Sequence, residues 1–586
     1  MFRIIIIFLF AQIVHAQEKY FIKSLGIDAF NSSALKTYYT TDSTLIIGGA
    51  TQLTTESHIK SFLFFSDSEV SSFDKLNYGL EFGIFILQGL VITPFGYAFS
   101  GQINNDPYGT YPPTGYPFLM EVNHAGEVLN LYQFPDPPIL SNGRALLYYP
   151  ESNTYYFGGE SATTASDPYR LMMTKITDGE MVWRRYYDNF TNKNKITDLQ
   201  PASDGGCFLV GMVNHGNIMS SEGDVLFMRI NNDGDILHST INDWGGKKAL
   251  ANRFNSFNEN NFIIAGTSYM DYYSGRVLLL RVDTLGNTIW DRHYQLGNGF
   301  NEASAVFQVG ENIVCSGSSK RDGAKIEAFL MKVRGSDGEP LWVRYFDAEP
   351  NNDYFYNFTP APDGGFLCVG RTEPVGSANM LVVKTNCMGL LSLPQADFTF
   401  VQDTTPPALF TFFNQSQYVY PDSIDGGHYI WEFGDGAVSN STHPTHIYPE
   451  EGHYLVTLTA IVCSDTSVTQ QLVYARSGSG IAVGIPDSSW EGSGGSSILV
   501  YPNPAQNTLT FALPEGLTPP SGGWGVEGDL GVSIYNLTGQ MVLQTTLAAG
   551  ETNKTISVAH LPVGMYLYVA EQAGSVLARG KVAVVR

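Results

Sequence analysis

The sequence is poor in the residues on which several common protein classes depend. Five cysteines stand in 586 residues, Cys207, Cys315, Cys368, Cys387 and Cys463, an odd number with no C-x-x-C pair. Neither a disulfide framework nor a structural zinc site is indicated, and all five are expected as small, buried, unbridged apolar residues. Charged residues make up only 15%, too few for coiled coils, long exposed helices or disordered tails. Basic residues are scarcest: 33 Lys and Arg face 56 Asp and Glu, for a formal net charge of -23, so the basic footprint that nucleic-acid binding requires is missing. The chain also lacks an apolar run long enough to span a bilayer. Residues 82–93, FGIFILQGLVIT, come nearest, but they are too short, stop at Pro94 and read as buried strand.

The N-terminus reads MFRIIIIFLFAQIVHA, with one cation at Arg3, an apolar core from Ile4 to Phe10 and small residues at Val14 and Ala16. This is the pattern of a secretory signal peptide over 1–16, with processing expected between Ala16 and Gln17. The mature chain is then expected to hold no transmembrane segment.

What is abundant is glycine, 60 residues, and aromatic side chains, 13%. Much of this recurs at a fixed interval. Short apolar strands ending in glycine appear at Gly49, Gly101, Gly158, Gly211, Gly266, Gly317 and Gly370, spaced 51 to 57 residues apart. A second anchor tracks the first, a charged residue followed by a turn glycine: Glu121 with Gly126, Lys175 with Gly179, Arg229 with Gly234, Arg281 with Gly286, Lys332 with Gly335 and Lys384 with Gly389. Aromatic strands around Trp183, Trp290 and Trp342 form a third anchor. Asp-Gly and Asn-Asp-Gly turns between them supply the positive φ that hairpins need.

Four short strands per unit in seven units predict an all-β fold whose first part, 18–393, is a seven-bladed β-propeller, because such units hide their apolar faces only against one another. Ring closure removes the last exposed edge. Residues 18–25, EKYFIKSL, have the character of an outer strand and are expected to complete the last blade; residues 390–393, LLSL, are the competing candidate. The wording of the units, SDGGCFLVG for example, resembles the Asp-Gly-Gly repeats of secreted bacterial propellers, whose Trp and Gly residues serve packing and turns.

Beyond Pro394 the pattern changes. The spacing W-x-F-G-D-G at Trp431 to Gly436, followed by Pro444, His446, Tyr448 and G-x-Y-x-V-x-L at Gly452 to Leu458, resembles a PKD domain, an immunoglobulin-like β-sandwich, over 395–475. The resemblance implies that Trp431 fills the sandwich core and that Asp435 and Gly436 make the following turn. His443, His446 and His453 are read as structural rather than as metal ligands, because H-x-x-H on strands is not a diagnostic ligand spacing. Residues 476–497 form a Gly/Ser-rich linker.

The last segment carries ILVYPNPAQNTLTF with Tyr501, Pro502, Asn503 and Pro504, then IYN at Ile534 to Asn536, Leu561, Gly564 and Tyr566, and the basic Arg579 and Lys581. Over 498–586 it resembles the type A C-terminal sorting domain of the type IX secretion system, itself a small β-sandwich. The resemblance implies that the secretion machinery takes the chain through this domain to the outer-membrane surface of a Gram-negative bacterium, or releases it.

No nucleophile elbow, H-E-x-x-H, Walker loop, EF-hand or Cys/His cluster is present, and no cofactor, metal site or catalytic residue is assigned. SDGEPLW at Ser336 to Trp342 only approximates a sialidase-like Asp box and reads as a hairpin turn. The leading expectation is a non-enzymatic binding or adhesion protein presenting the propeller and PKD domain to an extracellular glycan or protein. The alternative is a secreted hydrolase or lyase acting on polysaccharide, with carboxylates converging in the propeller mouth beside aromatics. Apolar plugging of that mouth would favour the scaffold.

Overall fold

The computed structural model describes residues 19–584 apart from 26–29, 41–43, 54–58, 68–69, 71–72, 79–83, 105–114, 135–139, 164–166, 189–192, 216–222, 245–247, 259, 270–274, 322–324, 349, 375–377, 404–408, 421–426, 476–498, 502–504, 513–529, 537–540, 549–550 and 573–574. The Ala16–Gln17 processing site and the 476–497 linker therefore lie outside the described residues. Among the described residues no helix is long and apolar enough to cross a membrane.

The first compact unit is a seven-bladed propeller of antiparallel four-stranded sheets. The inner strands are Phe30–Tyr39, Ile84–Thr93, Leu140–Tyr149, Lys193–Pro201, Lys248–Phe257, Asn301–Val309 and Asp353–Pro360. Blades one and two are additionally joined by a single parallel bridge, Ile59 to Ile84. The middle strands of each blade are apolar on both faces, as in Asp224–Ile230, where every residue is buried. Each such side chain contributes roughly 1.5–3 kcal/mol once buried, and only a neighbouring sheet on either side can bury both faces.

Phe21–Leu25 closes the ring. It pairs with Asn379–Thr385 in the last blade, Phe21 opposite Lys384 through Leu25 opposite Met380, while residues 390–393 form no strand.

The second and third anchors are the joints between blades. The turn that follows the third strand of a blade places a glycine of positive φ on the outer strand of the blade before it. A Cβ on Gly126 would meet Tyr78, one on Gly179 Tyr132, one on Gly234 Trp183, one on Gly338 Trp290 and one on Gly389 Trp342, all within 3.0 Å. The turn carbonyls are also acceptors: Tyr78 Oη donates to Gly126 O at 2.6 Å, Tyr187 Oη to Gly234 O at 2.8 Å and Tyr294 Oη to Gly338 O at 2.6 Å. In blade six the turn glycine is Gly338, at φ 75°, and not Gly335 as the spacing implied. Gly335 instead accepts from Arg281 and Trp290 of blade five through its carbonyl. At the seventh joint Lys23 Nζ donates to Val70 O at 3.0 Å.

The same compact unit includes residues 417–428 and 460–467. Here one cysteine expectation fails: Cys387 and Cys463 form a disulfide with their Cα atoms 6.1 Å apart. An odd count leaves room for one bridge, and both residues sit in turns, where two backbones can approach. Lys19 and Tyr20 bond to Asp465, the first residue of the strand that follows the Cys463 turn. Cys207, Cys315 and Cys368 are free and buried in the second strands of blades four, six and seven, as the composition implied.

In the second unit, Trp431 is fully buried against Phe398 and Phe412, with ring centroids 5.1 and 5.6 Å away, and its indole donates to Ser441 O at 2.9 Å. The sorting-domain segment is a second sandwich of a three- and a four-stranded sheet around Leu509, Phe511, Val532, Ile534, Tyr568 and Val582.

Candidate functional site in the propeller channel

One irregularity recurs in all seven inner strands. Pairing with the second strand skips one residue: Leu35, Gln88, Arg144, Thr197, Asn252, Ser304 and Tyr356 in blades one to seven. Each is a β-bulge, which leaves one residue unpaired and re-aims its neighbours. The partner of the residue just before each bulge is a glycine: Gly49, Gly101, Gly159, Gly211, Gly266, Gly317 and Gly370. In blade three the register selects Gly159, whereas the sequence spacing pointed to Gly158. At each of the seven, an added Cβ would lie 1.7 to 2.3 Å from a carbonyl oxygen of the inner strand. The glycine of the repeat is therefore what lets the inner strand bulge.

The bulges divide the channel wall into two tiers. In the upper tier, five successive blades bring polar side chains together, ionisable in blades three, four, six and seven and an amide in blade five. Arg144 Nε donates to both carboxylate oxygens of Glu160 at 2.8 Å. Lys195 lies in the fields of Arg144, Glu160 and Glu302, and burial, with Arg144 adding to it, holds its ammonium below the usual lysine range. Burial pushes the Glu302 carboxyl up; the hydrogen bond from Asn252 Nδ2 at 2.8 Å and the nearby Lys195 oppose that push. From blade seven, Arg371 pairs with Glu373 at 2.9 Å, and Glu373 also accepts from Asn352 at 2.8 Å. Tyr354 and Tyr356 lie parallel, 6.1 Å apart, and burial raises the Tyr356 hydroxyl to about 12.

The lower tier encloses a cavity of about 320 Å³ lined by residues of all seven inner strands, among them Lys36, Tyr38, Asp198, Gln200, Arg253 and Asn357. Lys36 is only 8% exposed, and burial, reinforced by Arg253 and opposed by Asp198, lowers its ammonium to about 7.

Several residues singled out by sequence are structural. Asp337 accepts from Glu339 N at 3.1 Å and pairs with Arg334, a hairpin turn as expected of SDGEPLW. The three histidines have separate partners. His446 bonds to Asp435 at 2.7 Å and stacks on Phe433, His443 accepts from Asn414 N, and His453 packs on Tyr474. Among the described residues no group of three His, Cys, Asp or Glu side chains converges as a metal centre would require. The channel residues were not legible one by one, because composition marks carboxylates without saying which blades face each other.

Comparison with known proteins places two modules. Residues 392–475 match the family model of the PKD domain, and residues 499–584 match that of the secretion system C-terminal sorting domain. The chain thus carries an export signal of the type IX secretion system, whose machinery handles it, and the protein is secreted or attached to the outer membrane. No curated protein matches the chain. Among solved structures, a neuraminidase-like protein from A/bat/Guatemala/164/2009 is similar with a TM-score of 0.33 and 9% identity over 52% of this chain and 88% of that one. A subtype N10 neuraminidase-like protein of A/little yellow-shouldered bat/Guatemala/060/2010 is similar with a TM-score of 0.33 and 9% identity over 51% and 94%. Likenesses this distant bear on no reading of function.

Proposed function

We propose that this exported protein is a non-enzymatic binding or adhesion protein, and that the upper tier of the propeller channel holds an extracellular glycan or protein group, with the PKD domain as a second platform. The observation that carries this reading is the engagement of the upper-tier carboxylates: Glu160 with Arg144, Glu373 with Arg371 and Glu302 with Asn252. Carboxylates satisfied by fixed partners form a rigid polar wall rather than a bare pair poised to activate water. Amide and guanidinium donors beside two parallel tyrosine rings suit a ligand with hydroxyl groups on one face and C–H bonds on the other, the surface of a sugar ring.

One observation favours the alternative of a secreted polysaccharide hydrolase or lyase. Burial raises Glu302, and a carboxyl held toward its protonated form can act as a general acid. An array of extracellular glycans and proteins, probed with the secreted protein for both binding and bond cleavage, separates the two. Binding without cleavage is expected, unchanged in kind for Glu302→Gln. Cleavage lost in Glu302→Gln would establish the enzyme reading instead.

A further inference from the structure

We propose that the lower tier of the channel is a separate binding site for a small oxyanion, a carboxylate or phosphate group, held between Lys36 of blade one and Arg253 of blade five. Lys36 is more than nine-tenths buried and lines the lower cavity. Arg253 lines it too. Its Nη1 donates to the carbonyls of Thr197 and Asn252, at 2.8 and 3.1 Å, but its Nε, also buried, has no hydrogen-bond partner among the described residues.

The charges facing Lys36 are Arg253 and Asp198, and the adjacent titratable group is Tyr38, whose hydroxyl is occupied in donating to Leu90 O at 2.8 Å. Asp198 is itself engaged, accepting from Phe254 N at 3.1 Å. Two cationic groups and one carboxylate thus meet in a cavity of about 320 Å³, with one positive charge in excess when Lys36 is protonated. Low dielectric makes that excess unfavourable, and an anion that fits the space relieves it. A carboxylate or phosphate group is small enough for the cavity and accepts from a guanidinium edge and an ammonium together. The chain as a whole is acidic, so an anion is drawn not by net charge but by the local pairing of Lys36 and Arg253 on the wall of one cavity.

The depressed ammonium of Lys36 adds a signature. A bound anion favours its charged form, so binding near neutral pH takes up a proton and weakens as pH rises past 7.

Titration calorimetry on the full chain with inorganic phosphate and, separately, acetate tests the site. Binding of either at pH 6 is expected, at least tenfold weaker at pH 8.5, and between these values the observed heat is expected to change with the ionisation enthalpy of the buffer, the mark of proton uptake. In Lys36→Met the binding is expected to vanish. Should Lys36→Met fail to fold, thermal shift of the unaltered protein with phosphate at pH 6 and 8.5 gives the same comparison. Absence of binding at pH 6, equal affinity at the two pH values, or binding retained in a folded Lys36→Met protein overturns the proposal. Because the upper tier is untouched by these measurements, their failure leaves the glycan- or protein-binding reading standing.

Discussion

The carbonyl oxygen of Glu302 fills the space beside Gly317 in which any other residue would place its Cβ, 1.8 Å from that position. A side chain of the channel wall is thereby linked to the most regular feature of the sequence. The glycine admits the carbonyl, the carbonyl marks the bulge, and the bulge is where the inner strand re-aims its side chains. The repeat that defines the blades therefore also builds the channel.

The adjacent glycines of blade three test this. A methyl on Gly159 would lie 1.7 Å from the Asn142 carbonyl, part of the backbone, whereas one on Gly158 would meet Ile196 Cγ2 and Met173 Sδ at 2.8 Å. Side chains shift more readily than a strand. Gly159→Ala is expected to destabilise the protein by about 3 kcal/mol and Gly158→Ala by about 1 kcal/mol. Thermal denaturation of the two variants decides it, and equal losses would show that the bulge does not require the glycine.

How far the architecture is readable from sequence follows from the same contacts. Blade number, strand order and the closing strand at Phe21–Leu25 are legible because glycine at a close approach, aromatic residues at a joint and positive-φ turns each demand a residue type. Blade three shows the limit, since two glycines stand side by side and only the pairing register distinguishes them. The channel groups were not legible for a different reason. Arg144, Lys195, Asn252, Glu302 and Tyr356 are far apart in the chain and meet only because five blades converge, and the bulge accepts side chains as different as Leu35 and Arg144, so it marks no residue type. The Cys387–Cys463 bridge escaped for the same reason, two turns 76 residues apart with no motif to mark them.

That bridge carries its own expectation. Closing a loop over a separation of 76 residues removes chain entropy from the unfolded state worth at most about 4.5 kcal/mol. Export places the protein where such a bond persists. The double variant Cys387→Ser with Cys463→Ser is expected to melt at lower temperature than the unaltered protein, and dithiothreitol is expected to lower the melting temperature of the unaltered protein only. Identical melting with and without reductant would mean that the bridge contributes nothing to stability.

Export itself is open to a direct measurement. The matched sorting domain spans 499–584, and without it the secretion machinery has no handle on the chain. A chain truncated before residue 499 is expected to accumulate in the periplasm. Recovery of that truncated chain from the medium in the amount seen for the full protein would show that export proceeds without the domain.

Lys36 makes its own contribution to stability rise with pH through the neutral to alkaline range, because its ammonium is depressed on folding. Its ammonium titrates near 7 in the folded protein and near 10.5 when unfolded. Between those values the unfolded chain holds a proton that the folded one has released, so the contribution of Lys36 to stability rises as pH rises through that window. Below about 7 both states are protonated and the full penalty of the buried charge applies, a few kcal/mol for a shift of this size. Methionine matches the length of the lysine stem without the charge. Lys36→Met is therefore expected to be more stable than the unaltered protein by a few kcal/mol at pH 6 in anion-free buffer, an advantage that shrinks steadily toward pH 10. Urea denaturation at pH 6, 8 and 10 follows the difference. A gap that stays constant across this range would mean that Lys36 keeps an ordinary ammonium in the folded channel, and that the cavity beside Arg253 is wetter than its enclosure by seven strands implies.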